Sequence, residues 1–208
     1  MDTLSLKHCR MELSKAGAFR LEIEWRAPVL HNPPFELDWY ALITNSSGHV
    51  RSKTDIISVD TTNRILSEHG ERPCSLDESI VGPPADQDLI DNDGHGKATF
   101  DLDLSLMEES KKEIYFALCL FEEYKEFRDP TKRYYLNQVS QLTISLRRPD
   151  DPKPFAIYKL SPIKGQCKGI LVCKLSRRTK TWQFSAIGKE IRNGVEDMFS
   201  GFLRSGTM

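Results

Sequence analysis

The chain has 208 residues, is 39% hydrophobic and 28% charged, and carries a formal net charge of -1. That composition excludes a disordered polyelectrolyte, and the length fits one domain of ordinary size. No apolar run reaches the roughly 18 residues of a membrane-spanning helix.

The start, Met1-Asp2-Thr3-Leu4-Ser5-Leu6-Lys7-His8, lacks the cationic head and apolar core of a secretory signal, so the expected location is cytoplasmic. Phe19, Leu21, Ile23 and Trp25 alternate with Arg20, Glu22 and Glu24, the period-2 pattern of a half-buried strand. Leu37 to Thr44 reads as a second strand, closed by the turn residues Asn45-Ser46-Ser47-Gly48. Ile56 to Val59 is a short third. Leu66 to Asp93 shows no convincing period and is expected to be a long acidic loop reaching to about residue 97.

Beyond it, Ala98 to Leu104 alternates again, with Asp101 and Asp103 on the polar face. Ile114 to Phe121 is continuously apolar, as in a central strand covered on both faces. Val139 to Leu146, Phe155 to Leu160, Ile170 to Leu175 and Trp182 to Ile187 complete about nine short strands. Their spacing predicts an all-β antiparallel sandwich or barrel rather than an α/β crossover fold. Ile191, Val195, Met198, Phe199 and Phe202 recur at three- and four-residue intervals and predict a C-terminal helix over about 189–203 packed on the sandwich. Pro149 to Pro154 reads as a stiff connection inside a single domain of 1–208.

Between Pro73 and Gly96 lie six carboxylates, Asp77, Glu78, Asp86, Asp88, Asp91 and Asp93, and no Lys or Arg. Closely spaced carboxylates repel one another unless water or a cation separates them, and hard oxygen ligands on a Gly- and Pro-containing loop suit Ca²⁺. A solvated acidic loop is the plainer alternative. Asp91-Asn92-Asp93-Gly94 resembles part of an EF-hand, but that register places Leu89 and Phe100 where carboxylates are required, so the motif is excluded. There is no phosphate loop, nucleophile elbow or zinc-binding His pair. Of five histidines only His95 adjoins the acidic run. The five cysteines, Cys9, Cys74, Cys119, Cys167 and Cys173, are odd in number and form no Cys-x-x-Cys pair, which reads as reduced thiols. From Gln141 onward 13 Lys/Arg face 5 Asp/Glu, a basic third that alternates with apolar residues as a solvated sheet face does.

Several ordered segments resemble the TerD family, the bacterial tellurium-resistance and stress-response domain. Phe35-Glu36-Leu37-Asp38-Trp39-Tyr40-Ala41-Leu42-Ile43-Thr44-Asn45-Ser46-Ser47-Gly48-His49-Val50-Arg51-Ser52 is similar to the family's early strand, Asn-x-x-Gly turn and Val-Arg-Ser. Asn137-Gln138-Val139-Ser140, Ala156-Ile157-Tyr158-Lys159-Leu160-Ser161 and Trp182-Gln183-Phe184-Ser185-Ala186-Ile187-Gly188 match three later segments, and the strand ending at Trp25 matches the first. Together these span most of residues 11 to 203.

The resemblance implies a β-sandwich with a Ca²⁺-binding acidic edge. Glu36 and Asp38 stand in the family's Asp-x-Asp position, and Glu78-Ser79-Ile80-Val81-Gly82 in its Asp-Asn-x-Thr-Gly loop. Gly96-Lys97-Ala98 stands where Asp-Asp-Glu is expected, leaving Asp86, Asp88, Asp91 and Asp93 as substitutes beside Asp77. The implied function is that of a non-enzymatic component of a tellurite or general stress response, docking other proteins of a stress-response complex when calcium orders its acidic edge. The alternative is an interaction module that has lost metal binding and meets an anionic partner, protein, nucleic acid or membrane surface, through its basic C-terminal third. A third reading places a nucleotide or other small molecule between the sheets.

Overall fold

The computed structural model describes residues 10–13, 17–29, 35–68, 70–84, 90–121, 134–179 and 181–203. In chain order the strands are β1 (Arg10–Leu13), β2 (Ala18–Arg26), β3 (Leu37–Thr44), β4 (Ile56–Ile57), β5 (Arg64–Ser67), β6 (Gly70–Pro73), β7 (Ile80–Val81), β8 (His95–Asp103), β9 (Glu113–Leu120), β10 (Ser140–Arg147), β11 (Ala156–Lys159), β12 (Gly169–Arg177) and β13 (Trp182–Ile191). One helix, α1 (Val195–Phe202), follows. The first sheet has the order β11-β10-β2-β8-β7 and the second β1-β13-β12-β9-β3-β4, while β5 and β6 form a separate hairpin. All pairs are antiparallel.

The alternation in β2 becomes burial: Phe19, Leu21, Ile23 and Trp25 point inward, each opposite Leu102, Phe100, Ala98 and Gly96 of β8. Side-chain size is matched across the ladder. Trp25 faces a glycine at which a Cβ would come within 2.0 Å of its ring. Edge-to-face rings join the two layers. Phe100 of β8 meets Trp39 of β3 at 5.3 Å and Phe116 of β9 at 4.9 Å between centroids. The result is an all-β antiparallel sandwich with a C-terminal helix, held by burial of large apolar side chains worth roughly 1.5–3 kcal/mol each.

The second sheet is apolar on both faces, which is why β9 has no alternation. Phe116 and Leu118 face the interior, while Ala117 and Cys119 face α1 together with Tyr40, Leu42 and Leu171. The helix lays Val195, Met198, Phe199 and Phe202 on that outer face. Phe199 packs edge-on to Tyr40 at 5.7 Å, and Val50 N–H bonds to Phe202 O at 3.0 Å.

Three expectations need correction. The helix begins at Val195, not near 189: Lys189, Glu190 and Ile191 pair with Leu171, Ile170 and Gly169. Ladder hydrogen bonds to β12 outweigh the helical spacing of Ile191, and Gly194 at φ 66° turns the chain before the helix starts. The segment 66–97 is not a single loop, since it carries the ends of the β5–β6 hairpin, β7 and the first residues of β8. β1 was not expected at all; it is an edge strand of four residues on β13.

Candidate functional site

The acidic stretch meets β8 at both ends, the Asp77 turn beside Asp103 and the Asp91 turn at His95. Glu78 N–H bonds to Ser75 O at 2.9 Å in a tight turn that puts Glu78 at φ 54°, with its side chain exposed. Asp77 turns inward from this turn. Its Oδ1 accepts from Ser75 Oγ at 2.7 Å, Ser79 Oγ at 2.6 Å and Ser79 N at 3.2 Å, and its Oδ2 from Lys111 Nζ at 2.9 Å. Burial would raise this carboxyl, but the serine and lysine donors outweigh it and hold Asp77 well below the usual carboxylate range. Lys111 Nζ also lies 3.9 Å from Asp55 Oδ1 and 3.9 Å from Glu108 Oε1. Asp55 ends a 3₁₀ turn, Lys53–Asp55, and Glu108 and Lys111 belong to the β8–β9 connection.

The other expected ligands sit elsewhere. Asp91 caps its own turn: Oδ1 accepts the N–H groups of Asp93 at 3.0 Å and His95 at 2.8 Å, and Oδ2 lies 4.0 Å from His95 Nδ1. Asp93 O accepts from Arg26 at 3.2 Å. This turn enters β8 at His95, whereas Ser79 O accepts from Asp103 N at 2.9 Å where β8 ends. The eight steps of β8 rise about 3.3 Å each, so its two ends, one beside the Asp77 turn and the other beside the Asp91 turn, stand about 26 Å apart. Asp38 is on the outer face of the second sheet, 3.4 Å from Tyr40 Oη, and Glu36 precedes β3, its carbonyl accepting from Phe121 N at 3.1 Å. Asp86 and Asp88 lie outside the described residues. Among the described residues no group of three or more His, Cys, Asp and Glu side chains is placed to hold a metal ion. Glu36, Asp38, Asp77, Glu78, Asp91 and Asp93 are not brought together, and they do not fit the shell of six to eight oxygens that one Ca²⁺ takes.

A second constellation does converge. Beyond the edge of α1, the outer face of the second sheet opens into a surface hollow of about 510 Å³ lined by Arg10, Lys112, Glu113, Lys174 and Arg178, with Arg177 contributing from the β12 end while its guanidinium turns toward the interior. Glu113 accepts from Lys174 Nζ at 2.6 Å, Ser176 Oγ at 3.0 Å and Tyr115 Oη at 2.6 Å. Burial would raise its carboxyl, but these donors lower it below its ordinary value. Arg177 is fixed, donating to Met107 O at 2.7 Å with its guanidinium 4.9 Å over the Trp182 ring, and its buried Nε has no hydrogen-bond partner among the described residues. Arg178 donates to Gln183 at 2.8 Å. None of Arg10, Lys112, Arg177 and Arg178 carries a carboxylate partner among the described residues. The basic C-terminal third signalled three of these cations; Arg10 and Lys112 join them only through the pairing of β1 with β13 and of β9 with β12.

Among the described residues the interior is filled by Trp25, Trp39, Phe100, Phe116, Tyr158 and Phe184. Cys74, Cys119, Cys167 and Cys173 are buried free thiols, and burial pushes Cys119 up to about 12 and Cys167 to about 11. No helix among the described residues is long and apolar enough to cross a membrane.

A family profile described as the TerD domain matches residues 3–202. No curated protein shows significant similarity. Among solved structures, a crystal structure of a protein of unknown function, SAV2460, superposes with a TM-score of 0.62 at 13% identity, covering 91% of this chain and 99% of that one. A crystal structure of a homologue of telluride resistance protein (TerD), SCO6318 from Streptomyces coelicolor A3(2), gives 0.59 at 12% identity with the same coverage. Identities this low speak for the fold alone.

Proposed function

The chain belongs to the TerD domain family, and we propose that it is a non-enzymatic docking component of a cytoplasmic tellurite or general stress response, binding an acidic segment of a partner protein in its basic hollow. The observation that carries this is the ring of four cations, Arg10, Lys112, Lys174 and Arg178, lining one hollow with the carboxylate of Glu113 on a part of the second sheet's outer face that α1 leaves open. Such a ring supplies recognition and association rate for a negatively charged surface.

A protein fits the hollow better than a nucleic acid does. Among the described residues no aromatic side chain lines the hollow, and the nearby Tyr115 ring is already covered by Lys174, so no face is offered for base stacking. The whole chain carries a net charge of -1, unlike the strongly basic domains that track phosphate backbones. A small molecule between the sheets would have to displace the aromatic core. Calcium takes no step in this reading.

The test is binding of a synthetic Asp/Glu-rich peptide, followed by fluorescence anisotropy at low and at physiological salt. Lys112→Glu with Arg178→Glu should weaken binding at least about tenfold, or about 1.4 kcal/mol, and flatten its salt dependence. Unchanged peptide affinity, or a stronger preference for an oligonucleotide of equal charge, overturns the assignment. A deletion strain that grows normally under tellurite and oxidative stress would remove the stress role and leave the surface standing.

A further inference from the structure

The Asp55, Asp77 and Glu108 carboxylates come from three separate loops and face one point. With nothing between them they would repel, most strongly Asp55 and Asp77, where little water is left to screen it: the side chains of Asp55, Asp77 and Lys111 are 15%, 14% and 12% exposed, while Glu108 reaches in from solvent at 64%. The point they face is occupied by Lys111 Nζ, 2.9 Å from Asp77 and 3.9 Å from each of the other two.

We propose that Lys111 is a built-in cation, holding this acidic edge in its ordered form without any divalent metal. An ammonium is satisfied by about three acceptors, and a carboxylate offers about four lone-pair sites. Asp77 has used three donors on Oδ1 and gives Oδ2 to Lys111, so its capacity is spent. A Ca²⁺ ion at about 2.3–2.6 Å from these oxygens would have to expel the ammonium and break the serine bonds as well. The lysine is covalently part of the site, so its local concentration never falls, and the edge is ordered at every calcium level. There is a structural consequence for the neighbouring residue. Lys112 N–H bonds to Thr44 O at 2.8 Å, so anchoring Lys111 on the acidic side fixes where Lys112 emerges at the basic hollow. The proposal does not depend on what docks there.

The experiment compares melting temperatures of the full chain in chelator and in millimolar Ca²⁺. Wild type should melt at the same temperature in both. Lys111→Met should melt lower in chelator and recover part of the loss in Ca²⁺, because three unshielded carboxylates then attract a free cation. Lys111→Arg should behave as wild type, and Asp77→Asn added to Lys111→Met should recover stability without calcium. Lys111→Met melting like wild type in chelator would overturn the proposal. So would a calcium-dependent rise in wild type that disappears in Asp77→Asn, since a free ion would then be bound where the ammonium is placed. If Lys111→Met does not fold, that second comparison decides alone: equal calcium responses in wild type and Asp77→Asn uphold the built-in cation.

Discussion

Arg72 donates from Nη1 to Asp101 Oδ2, and this pair ties the side chains of the β5–β6 hairpin to β8 of the first sheet. The same guanidinium donates to Gly82 O at 2.7 Å and to Thr99 O at 3.3 Å, while Asp101 takes Arg20 on its other oxygen. Arg72 is 9% exposed. Four segments are joined here, β2, β6, β8 and the chain leaving β7, and the turn that carries Asp77 hangs between two of them.

Arg72→Met should therefore destabilise the fold by about 3 kcal/mol, near the low end for breaking a buried pair, because Arg20 still neutralises Asp101. The exchange protection of the 75–82 amides should fall further than that of β9 or β12. Uniform loss across all strands would show that the hairpin is not held locally.

The same pair sets a pH dependence. Burial would raise Asp101, but hydrogen bonds from Arg20 and Arg72 outweigh it and lower it below the ordinary 3.8. Glu113 is lowered in the same sense. A folded value beneath the unfolded one gives stability that is complete above the unfolded value and is lost as pH falls through it to the folded one. Asp55, raised by burial, works weakly in the opposite direction. The melting temperature should be level near neutrality and drop below about pH 5, and the drop should be shallower in Asp101→Asn. An equal acid slope in that variant would place the titrating group elsewhere.

Two glycines should resist substitution for steric reasons. A Cβ at Gly82 would lie 2.2 Å from Cη2 of Trp39, and at Gly96 2.0 Å from Cε2 of Trp25. Both rings are buried in the sandwich core. Gly82→Ala and Gly96→Ala should each cost about 1–3 kcal/mol or more, as overpacked cores do, with a changed tryptophan fluorescence spectrum. Gly17→Ala, where the same test meets open space, should leave both unchanged.

Where one face of a strand is buried, the alternation in β2 and β8 could be read directly from the residues. It could not be read in β1, β5, β6 and β7, because two- to four-residue strands contain too few periods. Their placement depends on distant partners such as Asp101 for Arg72. Register also shifts between Leu171 and Cys173, so Val172 and Cys173 both turn inward, a change that no fixed period anticipates. The carboxylates of the acidic stretch were plain in the sequence, and their proximity there suggested one site. The length of β8 carries its two ends apart, and the cation that meets Asp77 is 34 residues away. Lys111 gives no local signal, since a lysine in a polar loop usually faces water.

The thiols allow a test of direct thiol chemistry. Attack needs a thiolate, and burial raises Cys74, Cys119, Cys167 and Cys173 above their ordinary value. In a Cys9→Ser variant, a thiol reagent at neutral pH should label native protein very slowly and release four equivalents only in denaturant. Fast labelling of one thiol would identify an opening that the folded state does not show and would reopen direct thiol chemistry.

The helix supplies the last test. Met198 is 2% exposed beneath α1, Phe199 is half-buried edge-on to Tyr40, and Ser200 is at the surface, where its hydroxyl bonds only to Asp197 O at 3.0 Å. Truncation costs the transfer of the removed atoms plus the cavity left behind, about 2–5 kcal/mol for a buried Met and about 3–5 for a fully buried Phe. Because Phe199 keeps part of its ring in water, Phe199→Ala should cost about 2 kcal/mol, which lowers the melting temperature by roughly 4–8 °C in a chain of this length. Met198→Ala should cost at least as much, and Ser200→Ala should stay within about 0.5 kcal/mol. Loss of the helix bares Leu42, Ala117 and Leu171 of the second sheet without touching the interior packing of Trp39, Phe100 and Phe116. Exchange should thus quicken in α1 and at the outward residues of β3, β9 and β12 well before the first sheet responds. If Phe199→Ala instead loosens both sheets together, the helix is part of the core's cooperative unit and not a cover laid on one side of it.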